Sequence, residues 1–223
     1  MKVCDVDRMY DRMETTQCNY DNMLKRLLRK KQFSNFVITY YSIALIIYSL
    51  TAEFFPEQFN EKLSSYFNII LSIVVLTYSL IITNANYSER IDSARSVLNQ
   101  IKMKKRELTE KNIEEIRSGY DQIMLKAEYR SDIDFFRTLK QRCKKNDVNW
   151  LLYKKQLEEL RCCNAEEADK LNEYLSDNFP LTQQIIIVFQ GIWSGVIIFI
   201  PIILFRYMFL LIIFWYGANY AIN

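Results

Sequence analysis

The chain has 223 residues, 50% of them hydrophobic, with 29 basic residues against 26 acidic ones, no histidine and a formal charge of +3. So small a net charge excludes binding to nucleic acid by bulk electrostatic attraction. The absence of histidine removes the commonest catalytic base and metal ligand.

Mean hydropathy is close to zero only because apolar blocks average against a highly charged middle. Four glycines and three prolines leave little punctuation, and strict period-two alternation is scarce. An all-α protein is predicted. Cys4, Cys18, Cys143, Cys162 and Cys163 fit no metal or C-x-x-C template and are expected to be reduced, structural thiols.

Residues 1–33 form an amino-terminal cytoplasmic segment. Tyr10 to Gln32 is predicted to be a helix with Met13, Met23, Leu24, Leu27 and Leu28 as its apolar members. It ends in the basic cluster Lys25, Arg26, Arg29, Lys30 and Lys31, which either anchors the topology or binds anionic lipid headgroups. No cleavable signal peptide is expected, because the first residues are polar and the following apolar run is longer than an h-region.

Residues 34–84 read as a transmembrane hairpin with spans at about 36–55 and 66–83. Neither run contains Lys, Arg or Asp, and Glu53 lies at an edge. Each is about the 20 residues a helix needs to cross ~30 Å of hydrocarbon. Basic residues flank the hairpin at its outer ends, Lys25 to Lys31 before it and Arg90 to Arg106 after it. The loop Pro56 to Ser65 carries only Lys62. The positive-inside rule therefore puts the amino terminus and the middle of the chain in the cytoplasm.

Residues 85–182 are predicted to be a cytoplasmic antiparallel helical bundle. The second span is expected to continue unbroken into a helix with Ile91, Ala94, Leu98, Ile101 and Leu108 on one face. After a turn at Leu108-Thr109, with Thr109 as cap, a partner helix presents Ile113, Ile116, Tyr120, Ile123 and Ala127. A third stretch opens at Asp132, Asp134, Phe135 and Phe136 and runs towards Leu139. A fourth runs from about Trp150 through Leu157 and Leu160 to Leu171 and Leu175. Such narrow stripes serve as packing seams within or between subunits.

Residues 183–223 form a carboxy-terminal hydrophobic membrane segment. Ile185 to Tyr216 would reach ~48 Å as one helix, too long for one upright crossing. It is either a span from Ile185 to Phe205 with the remainder in the far leaflet, or a hairpin bent near Pro201. Arg206 is the one cation within this block. It either faces a water-filled cavity or partner group and takes part in gating, or snorkels to the headgroups.

The sequence holds no phosphate-binding glycine loop, no zinc-protease motif and no Cys/His ligand set. The neighbouring glutamates of Glu114-Glu115, Glu158-Glu159 and Glu166-Glu167 sit on lysine-rich helices, where adjacent residues do not face one another. No enzyme activity, cofactor or metal is expected. Within the spans, Ser42 and Ser49 are seven residues apart, as are Ser72 and Ser79, so each pair shares a helical face. Hydroxyls so placed either pack helices together or line an aqueous path.

The exit from the second span, Asn84 to Leu98 (NANYSERIDSARSVL), the turn and helix Leu108 to Ile123 (LTEKNIEEIRSGYDQI) and Ala127 to Phe135 (AEYRSDIDF) carry a resemblance. In these residues the chain resembles the SLATT family, the SMODS- and SLOG-associating two-transmembrane effector domains of prokaryotes. The resemblance implies a membrane effector of antiviral or conflict systems that oligomerises and breaches the membrane when a partner component senses infection. It also implies a trigger, either a nucleotide second messenger from a neighbouring nucleotidyltransferase or a reverse-transcriptase partner. The carboxy-terminal block exceeds a plain two-span pattern, and the reverse-transcriptase-linked branch is the expected home of such an extended form.

The reading is a homo-oligomeric, multi-pass protein of the prokaryotic inner membrane, with the lipid bilayer as its first partner and no direct nucleic-acid binding. A membrane-tethered scaffold that recruits a soluble partner without conducting ions has the same topology.

Overall fold

A computed structural model describes residues 2–54, 61–149, 153–177 and 180–220. Every regular element among them is a helix: α1 Lys2–Phe54, α2 Glu61–Asn84, α3 Tyr87–Glu107, α4 Ile113–Lys126, α5 Asp132–Lys145, α6 Tyr153–Cys163, α7 Ala165–Asp177 and α8 Pro180–Tyr220. The protein is an all-α membrane protein. Among the described residues, three stretches long and apolar enough to cross a membrane lie in Asp5–Phe54, Asn68–Glu107 and Leu181–Phe199.

Local chemistry accounts for the helix boundaries. No glycine or proline occurs before Pro56, so nothing interrupts α1. The expected unbroken passage from the second span is corrected: α2 stops at Asn84, and Asn86 takes a φ of 45°. Asparagine tolerates that left-handed conformation because its side chain is short and polar. The Ala85 N–H still bonds the Ile81 carbonyl at 3.1 Å and the Asn86 N–H that of Thr83 at 3.3 Å.

The cap of α4 is Asn112 rather than Thr109. The backbone N–H and hydroxyl of Thr109 both donate to Asn112 Oδ1 at 2.8 Å, and Asn112 Nδ2 donates to the Glu107 carbonyl at 2.8 Å. Asn112 thus ties the end of α3 to the start of α4.

The fourth stretch divides at Asn164 into α6 and α7. Asn164 Oδ1 accepts the Glu167 N–H at 3.2 Å, an N-cap bond that starts a new helix. Trp150 lies outside the described residues. At the other end of the chain, α8 runs through Pro201 without a break. Its 41 residues give a length of roughly 60 Å at 1.5 Å per residue, about twice the hydrocarbon thickness.

The chain forms two compact units, one of Met1–Arg29 with Ser88–Val188 and one of Lys30–Tyr87 with Phe189–Asn223. In the first, the expected stripes are inside: Met13, Met23 and Leu27 of α1, Ile91, Ala94, Leu98 and Ile101 of α3, Ile116 and Tyr120 of α4, Phe136 and Leu139 of α5. Contacts fix the helix directions. Asp11, Asn22 and Arg26 meet Arg142, Thr138 and Asp134 in turn, so α5 is antiparallel to α1. A smaller core joins Cys143 and Val148 to Leu157 of α6 and Ala168, Leu171 and Leu175 of α7.

In the second unit, Ser34, Val37, Tyr41 and Ala44 are the buried face of α1, at steps of three and four. Ile43, Ile46, Ile47 and Leu50 of α1 point outward, as do Ile69, Ile73, Leu76 and Leu80 of α2. None of the apolar window of α2 or α8 is buried within the chain. Faces this large and apolar need lipid or other helices as solvent.

Candidate functional site

In the membrane unit the structure distributes the four predicted serines unevenly. Ser49 of α1 is half-buried and donates to Asn68 Oδ1 of α2 at 3.1 Å, which joins the two helices of the hairpin. Ser72 is exposed and donates to the carbonyl of Asn68 on its own helix at 2.7 Å. Ser42 and Ser79 are half-buried. The Ser79 carbonyl accepts the Thr83 hydroxyl at 3.0 Å. One serine of the four therefore bridges helices, and its partner Asn68 was not singled out by spacing. Asparagine inside an apolar run was the available signal.

Tyr41, also missed, donates its hydroxyl to the Ile197 carbonyl of α8 at 2.8 Å. Proline has no N–H, so Pro201 cannot make the usual helical bond back to Ile197, four residues earlier. Arg206 is exposed on α8.

The predicted basic cluster has diverse surroundings. Lys25 pairs with Asp21 one helical turn away, at 2.5 Å, and Arg29 is exposed. Lys30 and Lys31 have interactions of their own. Arg26 instead turns to α5, where Nε and Nη2 meet the two oxygens of Asp134 at 2.9 and 2.8 Å. Asp134 is 0% exposed and also accepts the Ser131 hydroxyl at 2.9 Å and the Ser131 N–H at 3.3 Å. Both carboxylate oxygens are satisfied, as a buried charge requires. The bidentate fork fixes α1 against the first turn of α5.

Further along this seam Asn22 Nδ2 donates to the Thr138 hydroxyl at 3.0 Å. Arg142 of α5 pairs with Asp11 of α1 and approaches Glu167 of α7 at 4.0 Å. Lys170 of α7 reaches Asp11 at 3.5 Å and Glu166 at 2.8 Å. The Glu166 hydrogen bond is the main cause raising the Lys170 pKa, so its charge is secure. Charges thus bind α1, α5 and α7 together.

Towards the amino-terminal end of the seam, α1, α4, the α4–α5 connection and Phe135 of α5 line an open cavity of about 430 Å³. Tyr20 donates to the Glu128 carbonyl at 2.8 Å, and the Thr16 and Tyr120 hydroxyls share a bond of 2.8 Å. The guanidinium of Arg12 lies over the Tyr120 ring and that of Arg130 over the Phe135 ring, 4.9 and 4.1 Å from the centroids. Among the described residues no His, Cys, Asp and Glu group is arranged to hold a metal ion.

Cys143 is buried, and desolvation pushes its thiol up to about 11, which makes it a packing residue. Cys162 and Cys163 are exposed.

No curated protein and no solved structure matches the chain. One family model does, over residues 5–212, a region that takes in the cavity, the ion-paired seam, both hairpin helices and most of α8. With a match over nearly its whole length, the chain belongs to the SMODS and SLOG-associating 2TM effector domain family 5.

Proposed function

We propose that this protein is a membrane effector of a prokaryotic antiviral system, which assembles as a homo-oligomer and opens a path through the inner membrane when triggered. The observation that carries this reading is the effector-domain match over residues 5–212. The positive-inside rule supports a cytoplasmic position for the amino terminus and the helices α3 to α7. The trigger is a nucleotide signal or a partner protein of the same system, such as a reverse transcriptase or nucleotidyltransferase.

The uninterrupted helix α1 supplies a physical route. It contributes Asp11, Asn22 and Arg26 to the ion-paired seam and Tyr41 and Ser49 to the membrane unit. A trigger acts only by binding the open arrangement better than the closed one, since equal affinity for both shifts no population. Ser42, Ser49, Ser72 and Ser79 are the candidates for the faces that copies turn towards one another or towards the lumen. Arg206 is the candidate for gating.

Dye-loaded liposomes holding the purified protein test the reading. Addition of the small-molecule extract of infected cells, or of the partner protein, should release the dye. Leucine at Ser42 and Ser79 should reduce the release. Retention of dye under both triggers would leave the non-conducting scaffold as the function.

A further inference from the structure

The cavity between α1, α4 and the α4–α5 connection has a charge pattern that its protein contacts do not exhaust. Its wall includes Arg8, Arg12 and Arg130 together with Asp11 and Glu128. Each carboxylate has a cation of its own from outside the wall: Arg142 and Lys170 for Asp11, Arg90 for Glu128. The arginines are less committed. Arg12 has a loose ion pair of 3.4 Å with Asp121, both side chains being more than half exposed. Among the described residues no carboxylate lies within ion-pair distance of Arg8 or Arg130, so positive charge is in excess on this wall.

Shape and the remaining groups narrow the occupant. A volume of about 430 Å³ lies in the range of small-molecule sites and is far larger than an inorganic anion needs. Tyr20, Tyr120 and Phe135 give the wall aromatic surface, and two of the guanidiniums already lie over rings. Guanidiniums beside aromatic rings suit a ligand that has both a planar part and a phosphate, because the rings offer stacking surface and the fork of arginine matches phosphate oxygens in pairs. Asn19, in the same wall, is 2% exposed, and its Oδ1 has no hydrogen-bond partner. An amide left in that state is costly, and a ligand with N–H or O–H donors reduces the cost when the side chain turns to meet it.

We propose that this cavity binds a small organic phosphate through Arg8, Arg12 and Arg130, and that its occupancy is the regulatory input to the membrane unit, a role that rests on the effector reading above. The phosphate ester comes either from a soluble metabolite or from a lipid headgroup. Binding draws the α4–α5 connection, which carries Arg130, towards Arg8 and Arg12 on α1.

The test uses the full-length protein in phosphatidylcholine nanodiscs, titrated with AMP, ATP and glycerol 3-phosphate, and with adenosine as the uncharged control. At least one phosphorylated probe should bind saturably and adenosine should not. The Arg8→Ala and Arg130→Ala variants should each weaken that binding about tenfold, the loss of one charge-assisted contact. Arg161→Ala, whose side chain pairs with Asp169 away from the cavity, should leave it unchanged.

Repeating the titration in phosphatidylglycerol nanodiscs separates the sources: competition by the lipid assigns the site to headgroups, and unchanged binding assigns it to the soluble ester. Equal binding of adenosine, no saturable binding by any probe at millimolar concentration, or equal weakening by Arg161→Ala would overturn the site. Binding is read without any ion flux, so a protein that binds the probe and never conducts refutes the effector reading and leaves the site standing.

Discussion

The Tyr41 hydroxyl donates at 2.8 Å to the Ile197 carbonyl, the helical acceptor that Pro201 leaves without its usual N–H. In hydrocarbon no water can take the place of that donor. A residue of α1 thus completes the backbone of α8 at its proline. Tyr41→Phe removes the bond and should destabilise the membrane unit by about 1 kcal/mol, within the range measured for hydrogen bonds between membrane helices. In a Pro201→Ala background the helix supplies its own N–H, so Tyr41→Phe should cost much less. A double-mutant cycle of unfolding in micelles measures the difference.

Among the described residues the pair of Arg26 with Asp134 is the most deeply buried ion pair, with side-chain exposures of 14% and 0%. Removing one partner strands the other charge, at a cost of about 3–5 kcal/mol. Arg26→Met and Asp134→Leu should each lower the unfolding midpoint sharply. The two together should cost far less than the sum of the single changes. Denaturant unfolding followed by circular dichroism reads all four proteins.

Cysteine labelling checks both burial and sidedness. Cys143 is buried with its thiol pushed up to about 11, so it stays protonated at pH 8 and should resist iodoacetamide in the native protein. Exposed Cys162 and Cys163 should react. In intact spheroplasts a membrane-impermeant maleimide should leave Cys162 and Cys163 unmodified until the membrane is opened. Mass spectrometry of the peptides reads each site, and labelling from outside would invert the proposed topology.

Gly119 lies inside α4, where glycine costs about 0.5–1 kcal/mol relative to alanine. A Cβ there would meet the Lys104 side chain, with Cε at 3.3 Å. The lysine end is flexible and can move by the few tenths of an ångström required. Gly119→Ala should therefore raise the thermal midpoint by a few degrees, and differential scanning calorimetry of the detergent-solubilised protein checks it.

The hairpin and the buried stripes of α3, α4 and α5 were legible because hydropathy runs and three-and-four spacing are local properties of a sequence. The breaks between α2 and α3 and between α6 and α7 were also written locally but are not among the expected turns, whereas the turn at Leu108-Thr109 is expected and only its cap differs. Asn112 with Glu115 and Asn164 with Glu167 both have the asparagine-to-glutamate spacing of a helix start. Asparagine at 84 and 86 marked the turn between α2 and α3.

The Arg26–Asp134 pair was not legible, since its members are 108 residues apart and each resembles an ordinary surface charge in its own segment. The same holds for Tyr41 and Ile197, 156 residues apart. Reading Arg26 as part of the basic cluster before the first span followed from its neighbours in sequence, whereas the direction of its side chain depends on α5. Cavities assembled from three elements, such as the one beside Tyr20 and Tyr120, leave no pattern in the sequence at all.

Membrane potential in infected cells that carry the protein with its neighbouring genes tests the proposed effector function most directly. A potential-sensitive dye should report collapse of the potential after infection, and the collapse should be weakened by leucine at Ser42 and Ser79. Cells that resist infection while their membrane stays fully polarised would contradict it.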